Sequence, residues 1–305
     1  MVWSLFRRRS GAGVSEAQVP VLAGRYRLGA RIGVSGSGQV REAVDLRTGT
    51  ILAAKLVPLP SQLTLERRAD WLARLQREVS VAQRLTHPDI LRVLDAGIDA
   101  AHVWMVTERV HGHDLSRYGQ RSRLLPEPVV LRIGARIASA LAFAHGVGVI
   151  HRDLKPANVL VDLSSDTVKL ADFGAARVDE SQLTRTGMVP GTPMYMSPEQ
   201  LAGTTATADS DAYALGVMMF ELLSGTRPHQ ASTLGELLRA MAVQPAPSLG
   251  RVRPDLPTTM ISLIDRLLAA DPADRPRDLS AWAGNVTALV TIIERVLETR
   301  QTAPA

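Results

Sequence analysis

The chain of 305 residues contains no cysteine. That excludes a disulfide framework and any thiolate metal site, and it is compatible with a reducing cytosol. Lysine is nearly as scarce. Of 35 Lys plus Arg only Lys55, Lys155 and Lys169 are lysine, which leaves 32 arginines. The net charge is +5, yet no basic run is longer than Arg7-Arg8-Arg9, and no aromatic residues interleave with it. This does not read as a nucleic-acid footprint; acidic protein surfaces are the fitting partners. Long hydrophobic runs are missing too. None reaches the roughly 18 continuous apolar residues of a membrane-spanning helix, and the most apolar stretch, Ala212 to Leu223, is broken by Glu221. At the start, Met1-Val2-Trp3-Ser4-Leu5-Phe6 precedes the arginines, the reverse of a secretory signal. Such an end suits a flexible tail, with peripheral contact of Met1 to Arg9 on an anionic membrane as the lesser alternative. The expected location is cytoplasmic.

What is present is a patterned chain of a length at which single cores divide, so two lobes are expected. Residues 7–24 are rich in Gly, Ser, Ala and Arg without periodicity, so 1–24 read as a flexible basic leader. Strand-like runs cover Arg25 to Ile32 and Gln39 to Leu46, flanking the glycine-rich Gly33-Val34-Ser35-Gly36-Ser37-Gly38. A third runs from Ile51 to Val57, and a buried one from His102 to Glu108. Between these, Leu65, Ala69, Leu72, Leu75, Val79, Ala82 and Leu85 recur at spacings of three and four, which predicts a helix. The C-terminal two-thirds is mainly helical, with helices from Pro126 to about Ala144, Ala208 to Ser224, and near 232–242, 258–269 and 278–298. Short strands are expected in 159–171, and a disordered tail over 299–305. His111 and His113 form a loop pair with no carboxylate or thiol constellation of metal-site spacing and read as polar residues rather than a metal site.

Two strings carry the chemistry: His151-Arg152-Asp153-Leu154-Lys155-Pro156-Ala157-Asn158, and after a β-branched stretch Asp172-Phe173-Gly174. They resemble the catalytic loop and metal-binding loop of a protein kinase. The later Gly191-Thr192-Pro193-Met194-Tyr195-Met196-Ser197-Pro198-Glu199-Gln200 resembles the end of the activation segment in bacterial serine/threonine kinases of the eukaryotic (Hanks) type. The resemblance spans about residues 25 to 290. It implies an α+β, two-lobed protein kinase fold: a small antiparallel β-sheet lobe with one main helix over about 25–108, and a larger, mostly helical lobe over about 112–298.

The resemblance also implies roles. Phosphoryl transfer asks mostly for positioning and charge neutralisation. Asp153 would orient the acceptor hydroxyl, Lys155 would place a point charge beside the transferred phosphoryl, and Asn158 and Asp172 would hold Mg2+, with Mn2+ as the alternative. ATP would meet Ile32, Gly33, Gly36, Gly38 and Val40 of the glycine-rich tip. Lys55 would grip its phosphates and pair with Glu78. Ala53, Leu160, the gatekeeper Thr107 and the backbone of Glu108 and Val110 would surround the adenine. Ser35 departs from the family's second glycine, and its Cβ narrows the approach to phosphate.

Asp211 matches the aspartate that anchors the catalytic-loop backbone, and Glu199 is expected to pair with Arg275. Thr184 and Thr186 flank Arg185 and are expected to be autophosphorylated, with Arg152 receiving the phosphate. Lys155 and Thr192 fit the serine/threonine class, so the expected partners are proteins with Ser/Thr acceptors, and a kinase dimer is left open. The rival readings are a pseudokinase-like scaffold, for which only Ser35 argues, and a small-molecule kinase, which the complete activation segment disfavours.

Overall fold

Alternation along the strands divides residues between two sheet faces. The computed structural model describes residues 20–35, 38–59, 79–99, 102–173 and 192–302, and they fall into two units: unit 1 within Met1–Leu59 and Ala96–Arg109, and unit 2 within Pro60–Asp95 and Val110–Ala305.

The larger sheet consists of β1 (Val21–Leu22), β2 (Tyr26–Ser35), β3 (Gly38–Asp45), β4 (Ile51–Pro58), β5 (Val93–Ile98) and β6 (His102–Glu108), in the order β1-β2-β3-β4-β6-β5, and unit 1 holds all of it but Val93–Asp95. Pairing from β1 through β4 to β6 is antiparallel. Leu28, Ala43, Leu52, Ala54, Leu56, Trp104 and Val106 close into one buried cluster with Leu22 and Tyr26. Leu52, Ala54 and Leu56 alternate along β4, as a period of two requires. Aromatic side chains of this size are worth about 3–5 kcal/mol to a core relative to alanine, and the Tyr26 and Trp104 rings meet at 6.2 Å. Arg25 forks onto Asp45 across the sheet end, with Nε and Nη2 donating at 3.1 and 2.7 Å.

The sheet starts earlier than expected. Residues 21–24, which the sequence places in the leader, form β1 and a turn with Ala23 and Gly24 at φ 50° and 63°, and Leu28 donates to the Pro20 carbonyl at 2.9 Å. β2 also runs past Ile32: Gly33 pairs with Val40 and Ser35 with Gly38, so Gly33 belongs to the ladder rather than to the turn. Gly38 has a packing reason to be glycine, since a Cβ there would lie 2.1 Å from the Leu56 carbonyl oxygen.

Unit 2 packs α1 (Glu127–Gly146), α2 (Pro198–Leu201), α3 (Ala208–Ser224), α4 (Leu234–Val243), α5 (Thr258–Leu267) and α6 (Leu279–Thr302) around one core. Pro126 and Pro128 start α1, where a missing N–H costs nothing. α1 is long and apolar enough to cross a membrane by length and composition, but here Val130, Ile133, Ile137, Leu141 and Ala144 are buried in that core, with α1 packed on α3 and α6. α3 is buried on nearly every face, as its unbroken apolar run predicts. It stops at Gly225, whose φ of 74° a side chain would disfavour. α6 extends four residues beyond the expected end, to Thr302.

A smaller sheet joins β7 (His113–Asp114), β8 (Val159–Asp162) and β9 (Thr167–Leu170). The described end of the predicted helix, 79–84, lies within unit 2. Leu85 and Ile90 lie in the unit 2 core. The Leu170 N–H donates to Asp89 O at 2.8 Å, and Leu91 donates back to Leu170 O at 2.9 Å.

The expected Glu199 to Arg275 pair ties α2 to the turn before α6. Arg275 Nη1 and Nη2 donate to the two carboxylate oxygens at 2.7 and 2.9 Å. Its remaining N–H groups reach the carbonyls of Asp209, Ala269 and Ala270, and the guanidinium lies over the Tyr213 ring at 5.0 Å. Burial works to raise the Glu199 carboxyl, but the hydrogen bonds from Arg275, its own backbone and Ser197 outweigh it and lower it from 4.5 to about 2. Because the folded value is depressed, this contribution is complete above about pH 4.5 and is lost as pH falls toward 2. Arg275→Ala, which strands a part-buried carboxylate, is expected to cost about 3 kcal/mol at pH 7 in chemical denaturation. Glu199→Gln should flatten the fall in stability between pH 5 and pH 3; an unchanged fall would remove the pair from the acid response.

Candidate active site

The loop between α1 and β8 is held by one buried carboxylate. Asp211, in the first turn of α3, accepts the backbone N–H of His151 at Oδ2 and of Arg152 at Oδ1, both at 2.8 Å. His145 Nε2 lies 2.8 Å from the same Oδ2. Arg152 has φ 71° and Asp172 φ 62°, conformations that cost non-glycine residues roughly 1–3 kcal/mol each. At Arg152 the hydrogen bond to Asp211 offsets that strain, and the guanidinium is left exposed.

His151 is fully buried and connects the two motif strings. Its Nε2 donates to Ala171 O at 2.9 Å, which fixes the tautomer and leaves Nδ1 to accept the Asp153 N–H at 3.3 Å. Its ring packs on Phe173 at 4.7 Å, and Ala171 N–H donates to Asn158 O at 2.8 Å. Asp172 is thereby set one residue from a double tie to the catalytic loop.

Within that loop the Asp153 carboxylate is oriented from one side. Lys155 Nζ donates to Oδ2 at 2.7 Å, and Asn158 Nδ2 donates to the Asp153 carbonyl at 2.8 Å and to Oδ2 at 3.2 Å. Oδ1 has no partner among the described residues. The turn Pro156–Asn158 that carries Asn158 starts with proline and continues directly into β8. Asn158 has its Nδ2 committed, so Oδ1 is the end that could ligate a cation, and with the Asp172 carboxylate it makes two oxygen donors. That set fits magnesium, a hard ion that keeps waters and phosphate oxygens as its other ligands. Among the described residues no three His, Cys, Asp or Glu side chains cluster for a metal. Leu160, half-buried in β8, lies opposite Asp114 and Lys169.

Four of the other expected residues share one face of the unit 1 sheet. Val40 is paired with Lys55, Lys55 with Met105, and Ala53 with Thr107; side chains directly opposite share a face, as do residues two apart. Val40, Ala53, Lys55 and Thr107 therefore line the face opposite the buried cluster. Ala53 and Thr107 are buried, and Thr107 Oγ1 donates to Glu108 O at 3.1 Å. Ile32 lies in a register irregularity between Arg31 and Gly33. Gly36, Glu78, Gly174, Thr184 and Thr186 lie outside the described residues, as does Met1 to Arg9.

Two functional contacts are not named by sequence reasoning. His145 interrupts the apolar stripe of Ala138, Leu141 and Ala144, and a polar residue beside such a stripe is the available signal. Tyr195 donates to Glu221 Oε2 at 2.5 Å. Burial and the Glu221 carboxylate push the Tyr195 hydroxyl far above its ordinary range, and burial also raises Glu221.

The profile of the protein kinase domain matches residues 26–283. Serine/threonine-protein kinase pkn3 of Myxococcus xanthus is 39% identical over 280 residues, covering 88% of this chain and 50% of that protein. Serine/threonine-protein kinase PknA of Mycobacterium tuberculosis is 37% identical over 276 residues, covering 88% of this chain and 62% of that protein. The chain thus spans about half to three-fifths of the length of these relatives. The crystal structure of the Mycobacterium tuberculosis PknI kinase domain superposes with a TM-score of 0.69 at 30% identity, covering 89% of this chain and 98% of that one. With the sheet of unit 1, the helices of unit 2 and the tied motif loops all accounted for, the chain belongs to the protein kinase family.

Proposed function

We propose that this chain transfers the γ-phosphoryl group of ATP to serine or threonine hydroxyls of proteins, with Mg2+ as its metal and Mn2+ as a substitute. The observation that carries the reading is Asp153: two donors hold Oδ2 and the backbone, so Oδ1 is the oxygen left to accept the hydrogen of an incoming hydroxyl. Lys155, 2.7 Å from that carboxylate, stands where charge moves from the attacking oxygen to the transferred phosphoryl. Asn158 Oδ1 and the Asp172 carboxylate would hold the cation, which when bound would neutralise charge on the phosphates. Lys55 supplies the ammonium for the α- and β-phosphates. By resemblance to the family, Ile32, Gly33, Gly36, Gly38 and Val40 would serve the phosphates and base, and Ala53, Thr107, Leu160 and the backbone of Glu108 and Val110 would serve the adenine. Glu78, outside the described residues, would pair with Lys55 by the same resemblance.

Arg152 is exposed, with no carboxylate within 4.0 Å among the described residues, and is the receptor for phosphate on Thr184 or Thr186. Transfer to these threonines between two copies would make a second chain the first protein substrate. ATP as donor places the reaction in the cytoplasm.

Two outcomes test this. Asp153→Asn keeps the shape and removes the acceptor charge; we expect phosphate transfer to a generic serine substrate to fall by 10²-fold or more while ATP affinity holds. Equal transfer by both proteins would take Asp153 out of the chemistry. Mass spectrometry after incubation with magnesium and ATP should find phosphate on Thr184 or Thr186 in the parent and on neither in Asp153→Asn. Active parent enzyme with both threonines unmodified would end the autophosphorylation reading.

A further inference from the structure

We propose that Arg117, Arg121 and Arg123, flanked by Arg227, form a docking surface for an acidic segment of the protein substrate. The inference rests on the kinase reading for its location beside the site, and on its own observations for the charge.

Arg117 belongs to the short turn Leu115–Tyr118, and Arg121 and Arg123 to the next, Arg121–Arg123. All three are exposed, while Leu115 beneath them is fully buried and fixes the backbone. Four other arginines of unit 2 are paired with carboxylates: Arg132 meets Glu294, Arg136 meets Asp89, Arg253 meets Glu127, and Arg275 meets Glu199. Among the described residues no carboxylate lies within 4.0 Å of Arg117, Arg121 or Arg123, and the contact Arg117 does make is Nη1 to His113 Nε2 at 3.0 Å. The acids nearby are engaged. Asp114 caps the first turn, accepting Ser116 N–H at 3.0 Å. Glu127 receives Arg253 at 2.6 Å. Glu221 receives the Tyr195 hydroxyl at 2.5 Å and lies 4.0 Å from Arg227.

The patch lies beside the chemistry, all within unit 2. The Leu115–Tyr118 turn packs against the Pro156–Asn158 turn of the catalytic loop. A Cβ on Gly119 would stand 3.3 Å from the Glu221 carboxyl carbon, the same group that holds Tyr195 of the Gly-Thr-Pro-x-Tyr segment. Arg121 lies directly against Gly225, two residues from Arg227. A peptide presenting its hydroxyl to Asp153 thus has a cationic surface within a few residues' reach, and carboxylates are what such a surface selects. The guanidiniums are exposed, so the preference should act on capture of substrate and weaken with salt, rather than alter the transfer step.

The test uses the full chain and two short fluorescein-labelled serine peptides, one flanked by glutamates and its twin by glutamines. Fluorescence anisotropy at low salt should give the acidic peptide roughly tenfold tighter binding, the sum expected of three exposed charge pairs, and the advantage should vanish in high salt. Arg117→Glu/Arg121→Glu/Arg123→Glu should erase it, Arg→Lys at the same positions should restore it, and kcat on the glutamine twin should stay at the parent value in both. Arg→Gln at the three positions should give an intermediate loss and guards against misfolding of the reversed protein. Equal binding of the two peptides by the parent, or an unaltered preference in the charge-reversed protein, would overturn the docking surface. Because binding is read without turnover, a protein that prefers the acidic peptide yet transfers no phosphate would sink the kinase reading and leave the surface standing.

Discussion

Asp211 is the group on which the rest of the site depends. A carboxylate buried to 1% exposure would be expensive without compensation. Here it receives two backbone N–H groups and the His145 ring, and in return the chain at Arg152 holds a positive φ it would otherwise leave. From that anchor the order propagates outward. His151 is fixed by Asp211 at its backbone and by Ala171 at its ring, so the catalytic loop and the stretch leading to Asp172 move as one piece. Lys155 and Asn158 then aim the Asp153 carboxylate from a backbone that is already set.

The sheet of unit 1 solves a different problem. Strand alternation gives each residue a face, and the ladder from β2 to β6 spends one face on a closed apolar cluster and the other on Val40, Ala53, Lys55 and Thr107. A shift of one residue in β4 would exchange Ala54 with Lys55 and destroy both faces at once. That constraint explains why so short a strand carries two expected ligand positions, and why Gly38 must admit the Leu56 carbonyl at close range. Lysine at 55 and 155, in a chain that otherwise favours arginine, keeps a compact charge where phosphate has to be approached as a point.

The parts that could be read from sequence are those encoded over a few residues. The strings around Asp153 and Asp172 are local, and α1, α3, α5 and the strands β4 and β6 announce themselves by period and length. What escaped depends on distant partners. β1 and β7 are two residues long, too short for a period, and exist because β2 and β8 pair with them. Asp89 meets Arg136, and the Asp89 carbonyl and Leu91 N–H bond to Leu170, contacts spanning 47 positions and more that no local pattern encodes. Gly33 looked like turn punctuation, but its register opposite Val40 makes it strand. His145 needed the position of Asp211, 66 residues away, before its purpose could be seen.

The measurement that bears most directly on this account is the single-turnover rate of phosphate transfer to a serine peptide by Asp211→Asn, with ATP affinity and melting temperature followed in parallel. Asparagine keeps one acceptor oxygen and puts an amide donor against the backbone N–H groups, so the loop should lose its fixed geometry while the ligand face of unit 1 stays intact. The account predicts a fall of about 10²-fold in the transfer rate, as expected of a small misplacement of catalytic groups, with ATP binding close to the parent's. A transfer rate equal to the parent's in a folded protein would contradict it, because Asp153 would then be positioned by something other than Asp211.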